Sequence, residues 1–383
     1  MANNLVKTSY SKDDVVILLK DIGGEIKEID TADREKLIQQ GVHYSEMLPV
    51  EHKPSDEYMQ IYYKALHDMS DRVALNIAVL SERLISKHRG EFVIISLARA
   101  GIPVGILVKR YIKMVYGLDL PHYGISIIRG KGFDENALKY IYDRHGKLIG
   151  AEHFQFLDGW TGKGAITKQL NEAVENIKRK YTQLDYLSSD LAVLADPANI
   201  CNICGTHEDY LVPNACLNGT VSGLISRTVL RDDLINVAAG DFHGAVYFEQ
   251  LENVDKSIEF IDTITEHIKH IATNKSRAEL NYAIEESKKI VGETGIEVVT
   301  RLANEYGIND INLIKPGVGE TTRVLLRRMP WKVLVDTSHS NGEISEDIEH
   351  IIRLCNEKGV PIDEHKLGNY QVCGIIKNVS ADA

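Results

Sequence analysis

One stretch of the sequence brings together residue types that hold phosphate. It reads Phe154-Gln-Phe-Leu-Asp158-Gly-Trp-Thr161-Gly162-Lys163-Gly164-Ala-Ile-Thr167. An apolar strand delivers one acid, and a Thr/Gly loop then runs directly into a helical pattern. The backbone N–H groups of such a loop, backed by a helix N-terminus, form a cradle for an anion. Thr161 and Thr167 can add hydroxyl donors, and Lys163 adds positive charge. An ordinary strand-to-helix turn, with glycines serving geometry alone, would use the same residues. GxxxxGK[ST] and GxGxxG are both absent, which excludes a Walker loop and a dinucleotide fingerprint.

A second group is Cys201-x2-Cys204-x2-His207, with Cys216 further on. Four such side chains fit a zinc site. They also fit a thiol nucleophile, Cys204 or Cys216, with His207 or His243 as base. Small buried cysteines in a Gly/Asn-rich loop are the third reading. Asn214–Gly223 is rich in small donors that could line a pocket, and His243 sits in a turn, Asp241-Phe-His243-Gly244. A third group, Lys315-Pro-Gly317-Val-Gly319-Glu320-Thr-Thr322-Arg323, opens a helix. With Arg327, Arg328 and Lys332 it makes a local basic face in which Glu320 is the only acid over 315–332.

These groups need elements to position them. Residues 56–88 carry apolar positions at helical spacing with no Gly or Pro, which predicts one long helix or two shorter ones. Phe92–Leu97, the HYGISII run, FQFL and DLAVLADP read as strands, each followed by a turn or a helical pattern. Strands alternating with helices predict an α/β domain with a mainly parallel sheet and helices on both faces. The first 60 residues read as an extension packed on that domain. A domain over 1–270, a helical linker over 271–308 and a small αβα domain over 309–383 complete the expected organisation.

The chain has 383 residues, 44% hydrophobic and 26% charged, which suits a folded protein of two or three domains. No run of about 18 apolar residues occurs, so no membrane span is expected. The start, MANNLVKTSYSKDD, lacks a basic and apolar leader, so a cytoplasmic location is expected. A net charge of −11 argues against capture of nucleic acid by the whole surface and leaves room only for a local basic face. Five cysteines in a reducing compartment argue against a disulfide framework.

The strand–acid–x–x–Thr–Gly pattern resembles the 5-phosphoribosyl-1-pyrophosphate (PRPP) loop of type I phosphoribosyltransferases. Ser96-Leu-Ala-Arg99-Ala100-Gly101-Ile-Pro103 resembles that family's pyrophosphate loop, and Arg129-Gly130-Lys131-Gly132 its mobile basic loop. Over about 90–200 the resemblance implies glycosyl transfer from PRPP or a related ribose phosphate, with Mg2+ carried by the substrate. The phosphate would lie on Thr161, Gly162, Lys163, Gly164 and Thr167. Arg99, Ala100 and Gly101 would meet the pyrophosphate, Asp158 the ribose hydroxyls, and Lys131 would close the site. The family has paired acids in this loop, whereas Leu157 and Gly159 flank Asp158 here.

The last 75 residues resemble the Pelota-type RNA-binding domain. That implies structured RNA held by Lys315, Gly319, Glu320, Arg323 and Arg327. Together the parts resemble a family of tellurite-resistance and stress operons that also carries a cysteine-protease name, StiP. The resemblance therefore implies a rival to glycosyl transfer, a thiol peptidase using Cys216 or Cys204 with His243. The single acid at Asp158 favours a second rival, a non-catalytic sensor of ribose phosphate that binds RNA. No metal ligand is assigned, and a homo-oligomer is left open.

Overall fold

A computed structural model describes residues 4–274, 277–290, 292–327, 329–340 and 342–376; the side chain of Arg327 and all of Arg328 lie outside it. Its centre is a six-stranded parallel sheet. The strands are β1 (Val16–Ile17), β2 (Val93–Leu97), β3 (His122–Ile125), β4 (Phe154–Trp160), β5 (Leu191–Ala195) and β6 (Ile203–Thr206), in the order β1-β3-β2-β4-β5-β6. The N-terminal extension thus supplies an edge strand. Chain direction across the sheet reverses beside β2, and in open α/β sheets ligands gather at such a switch point, past the carboxyl ends of the strands.

Alternate residues of each strand point to opposite faces. Val93, Ile95 and Leu97 of β2 enter one apolar cluster with Phe156 and Val193. Ile94, Leu157, Ala192 and Leu194 enter the other. Helix α1 (Asp56–His88) begins at Ser55, whose hydroxyl accepts from the Tyr58 N–H, and covers the second face with Ile77, Leu80 and Leu84. Helices α2 (Gly101–Tyr116) and α4 (Ser257–Asn274) join it there, while α3 (Ala165–Lys180) covers the first face with Leu170, Val174 and Ile177. A sheet buried on both sides accounts for the nearly continuous apolar runs in its strands.

After α5 (Arg277–Glu286), α6 (Gly295–Tyr306) packs Val298, Val299 and Leu302 on a smaller sheet. That sheet contains β7 (Ile314–Pro316), β8 (Lys332–Val335), β9 (Ile362–Glu364) and β10 (Val372–Ile375), ordered β7-β10-β8-β9. Helices α7 (Val318–Arg327) and α8 (Glu349–Lys358) cover its other face. Leu325, Val333, Ile351 and Leu354 from this region are continuous with the first domain's core, so one apolar body spans both. No described helix is long and apolar enough to cross a membrane.

Gly101 shows what the packing demands. A Cβ there would lie 2.4 Å from the Leu157 carbonyl oxygen, where α2 crosses β4, whereas one at Gly162 would meet nothing within 4 Å. Gly101→Ala is expected to lose about 1–3 kcal/mol through overpacking. Gly162→Ala should stay within about 0.5 kcal/mol of the parent. Urea denaturation of both variants checks this, and equal losses would contradict it.

Candidate active site

The Thr/Gly loop follows β4 as expected and lines a cleft, but Thr161 and Lys163 are hydrogen-bonded to groups of the protein. Asp158 stands half-buried in a cleft of 340 Å3 that Ala100, Arg129, Lys163, Thr167 and Lys315 also line. Burial pushes its carboxyl from the ordinary 3.8 up to about 7, against the pull of the Gly159 N–H. Thr161 instead donates its hydroxyl to Asp196 Oδ1 at 2.6 Å. Lys163 donates to the carbonyl oxygens of Ile311 at 2.7 Å and Ile314 at 3.1 Å. Burial, with Lys315 and Arg129 nearby, brings its ammonium down to about 8. Gly164 takes a left-handed φ of 84° at the turn into α3.

The loop expected to meet the pyrophosphate and the basic loop expected to close over the substrate are also engaged elsewhere. Arg99 donates to the Ile225 carbonyl at 3.0 Å and lies 3.8 Å from Glu51. Gly101 serves the contact between α2 and β4. Lys131 sits at the tip of a hairpin, paired with Glu46 at 3.3 Å, while the Arg129 N–H is held by the Tyr44 hydroxyl at 2.7 Å. The partners of Arg99 and Lys131 are a carbonyl and acids distant in sequence.

The cysteine group resolves more sharply. Cys204, on β6, places Sγ 3.4 Å from His207 Nε2. His207 Nδ1 lies 3.1 Å from the Asp196 carbonyl oxygen and 3.4 Å from Asp196 Oδ2. The ring is thus held with Nδ1–H toward Asp196 and Nε2 toward the sulfur. Burial opposes a charge on His207, but Asp196 and Cys204 together lift its pKa to about 10. Asp196 is itself fixed: Oδ2 accepts from the N–H groups of Ile200 and Cys201, both at 2.9 Å. The spacing of Cys204 and His207 was readable from sequence. The role of Asp196 was not, because only the pairing of β5 with β6 brings it beside His207.

The other thiols differ. Burial raises the Cys201 thiol far above its usual range. Cys216 is buried, and burial pushes it up to about 12 although Arg323 pulls the other way. It lines a second cleft, of 430 Å3, with His52, Arg99 and Arg227. His243 is engaged with other groups. The His243 ring lies 2.8 Å from the Ser126 hydroxyl, its backbone N–H donates to Asp134, and burial lowers its pKa.

Residues 8–265 match the family described as the tellurite-like stress resistance cysteine protease StiP. The chain is 34% identical over 361 residues, covering 90% of this chain and 88% of the relative, to a protein of Acinetobacter baylyi named cysteine protease StiP. The chain belongs to the StiP family. Phosphoribosyl transfer is thereby corrected: the family's name is that of the thiol alternative. The reason to expect Mg2+ carried on PRPP goes with it.

Residues 293–378 match the PELOTA RNA-binding domain. In this StiP-family chain that domain is docked on the first. Both oxygens of buried Asp209 accept from it, one from the Val318 N–H that opens α7 and one from the Gln371 N–H, each at 2.9 Å. Arg323 donates to Asn218 at 2.8 Å, and a Cβ on Gly319 would lie 3.3 Å from that of Ala215. Glu320 lies 3.6 Å from Arg323, and Lys315 turns toward the Asp158 cleft. The residues expected to meet RNA therefore lie along the seam between domains, with the Arg327 side chain outside the described residues. A cavity of 1020 Å3 opens elsewhere on the seam, lined by His207, Tyr282, Ser287, Asp347 and Gln371.

Two outcomes follow. A carboxyl whose pKa is higher folded than unfolded costs stability as pH rises, here from about 4 to 7 for Asp158. Asp158→Asn should therefore raise the melting temperature at pH 8 and leave it unchanged near pH 3.5, measured by calorimetry. Asp209→Ala strands two buried N–H groups and should cost about 1–3 kcal/mol; a variant as stable as the parent would show that the seam does not depend on Asp209.

Proposed function

We propose that this chain is a thiol peptidase with Cys204 as nucleophile, His207 as general base and Asp196 as the group that orients the imidazole. The observation that carries this reading is the 3.4 Å contact between Cys204 Sγ and His207 Nε2, with Asp196 behind the ring. Support comes from the name of the Acinetobacter baylyi relative. His207 would take the thiol proton, and the raised pKa of the ring favours the thiolate–imidazolium pair. The thiolate would attack a peptide carbonyl, and the imidazolium would return the proton to the leaving amine. Water, deprotonated by the same ring, would then split the thioester and regenerate the thiol.

The surroundings suggest how a substrate carbonyl is received. The Ser287 carbonyl oxygen lies 3.5 Å from Cys204 Sγ and accepts from Arg83 Nη1 at 2.7 Å. It stands where an incoming peptide carbonyl would stand, with a guanidinium placed to stabilise developing negative charge. Cys204 is fully buried beneath it, so the segment after α5 must lift before substrate enters from the 1020 Å3 cavity. RNA is the proposed ligand of the C-terminal domain. Binding through Gly319 and Arg323 would compete with docking at Ala215 and Asn218.

A second assignment of the nucleophile has one observation in its favour: Cys216 lines a cleft directly, whereas Cys204 reaches its cavity only past His207 and Ser287. Hydrolysis of casein by single variants separates the two. Cys204→Ala and His207→Ala should each lower the rate by at least about a thousandfold, while Cys216→Ala keeps it within a few-fold of the parent. Full activity in Cys204→Ala would overturn the proposal, and loss confined to Cys216→Ala would move the nucleophile there.

A further inference from the structure

We infer that Cys204 and His207, with Asp196 behind them, form a binding site for a soft divalent cation of the zinc type. The three side chains bring one ligand atom each within 4.8 Å of one another. Zinc lies about 2.3 Å from a thiolate and about 2.0–2.1 Å from an imidazole nitrogen. At a tetrahedral angle these lengths put sulfur and nitrogen about 3.6 Å apart. The separation of Cys204 Sγ and His207 Nε2 is 3.4 Å, so neither side chain needs to change rotamer. The Ser287 carbonyl oxygen, 3.5 Å from Sγ, fits a second edge of the same tetrahedron. The protein thus supplies three ligands, which leaves the fourth position of a tetrahedral ion to a small ligand such as water.

The outer groups agree with this arrangement. A metal-bound imidazole commonly donates its second N–H to a carboxylate or a carbonyl, which fixes the ring. His207 Nδ1 has both on Asp196, at 3.4 Å and 3.1 Å. Asp196 is immobilised in turn by Thr161 and two backbone N–H groups. Entry favours a cation: the cavity wall beside His207 carries five carboxylates against Arg72 and Lys289. Arg83, 3.8 Å from Sγ, adds one positive charge, offset by the thiolate and Asp196. Thiolate and imidazole select zinc over Mg2+ or Ca2+. The ligands are not the four the cysteine spacing suggested. Cys201 is turned into the core, Cys216 lies in another cleft, and a backbone carbonyl completes the protein's share.

An ion here occupies the sulfur lone pair that attacks a peptide carbonyl. Metal and hydrolysis are therefore mutually exclusive, a consequence that rests on Cys204 being the nucleophile. The binding itself does not.

The test uses the full-length chain freed of metal by a chelator. Co2+ should give a thiolate-to-metal charge-transfer band in the near ultraviolet at one ion per chain, and zinc should bind with the same stoichiometry by calorimetry. Cys204→Ser and His207→Gln should abolish the band. Asp196→Asn should weaken zinc by roughly tenfold or more, and Cys201→Ser should change nothing. Absence of the band in the parent chain, which needs no variant to fold, overturns the site; so does a band that survives in folded Cys204→Ser. A band accompanied by casein hydrolysis that depends on Cys216 alone would keep the metal site and remove only the nucleophile assignment.

Discussion

The carboxylate of Asp196 is fully buried, and a buried charge persists only where donors surround it. One oxygen takes the hydroxyl of Thr161, and the other takes two backbone N–H groups and faces His207. Three segments thus converge on one anion: the loop after β4, the turn after β5 and the end of β6. The loop that resembles a phosphate cradle is shaped from within by this acid. Its threonine hydroxyl is taken, and its lysine reaches across to the other domain.

The same constraint separates what could be read in the chain from what could not. The long helix α1 is legible because 33 residues keep one apolar stripe and Ser55 caps the start. The strands are legible because a sheet covered on both faces must be apolar throughout. Arg99, Lys131 and Lys163 have partners in the fold that the sequence does not show, for a physical reason. A cation beside a glycine-rich turn looks alike whether it faces phosphate or a carbonyl, and the deciding partners, Ile225, Glu46 and Ile311, lie 85 to 148 residues away. The Cys204–His207 pair needed only a three-residue spacing. Pairing Cys216 with His243 required a tertiary contact that the fold does not make.

Docking of the small domain follows similar physics. Helix α7 opens with N–H groups that need an acceptor, and Asp209 of the first domain supplies it. An RNA backbone would offer that helix end the same chemistry, negative oxygen at the positive end of a dipole. Asp209 is thus an internal occupant of the position that gave the C-terminal residues their nucleic-acid character in the sequence.

The arrangement has a consequence during synthesis. Asp209 leaves the ribosome 109 residues before the Val318 N–H that satisfies it. At about 5–20 residues per second, that interval lasts roughly 5–20 s. Throughout it the first domain carries an unmet acid beside Leu211 and Ala215, an apolar surface the later residues will cover. Every nascent chain therefore passes through a stage with a sticky, half-built seam. Holding chaperones, translation speed and temperature act on the yield of this protein through that stage, before any finished molecule exists.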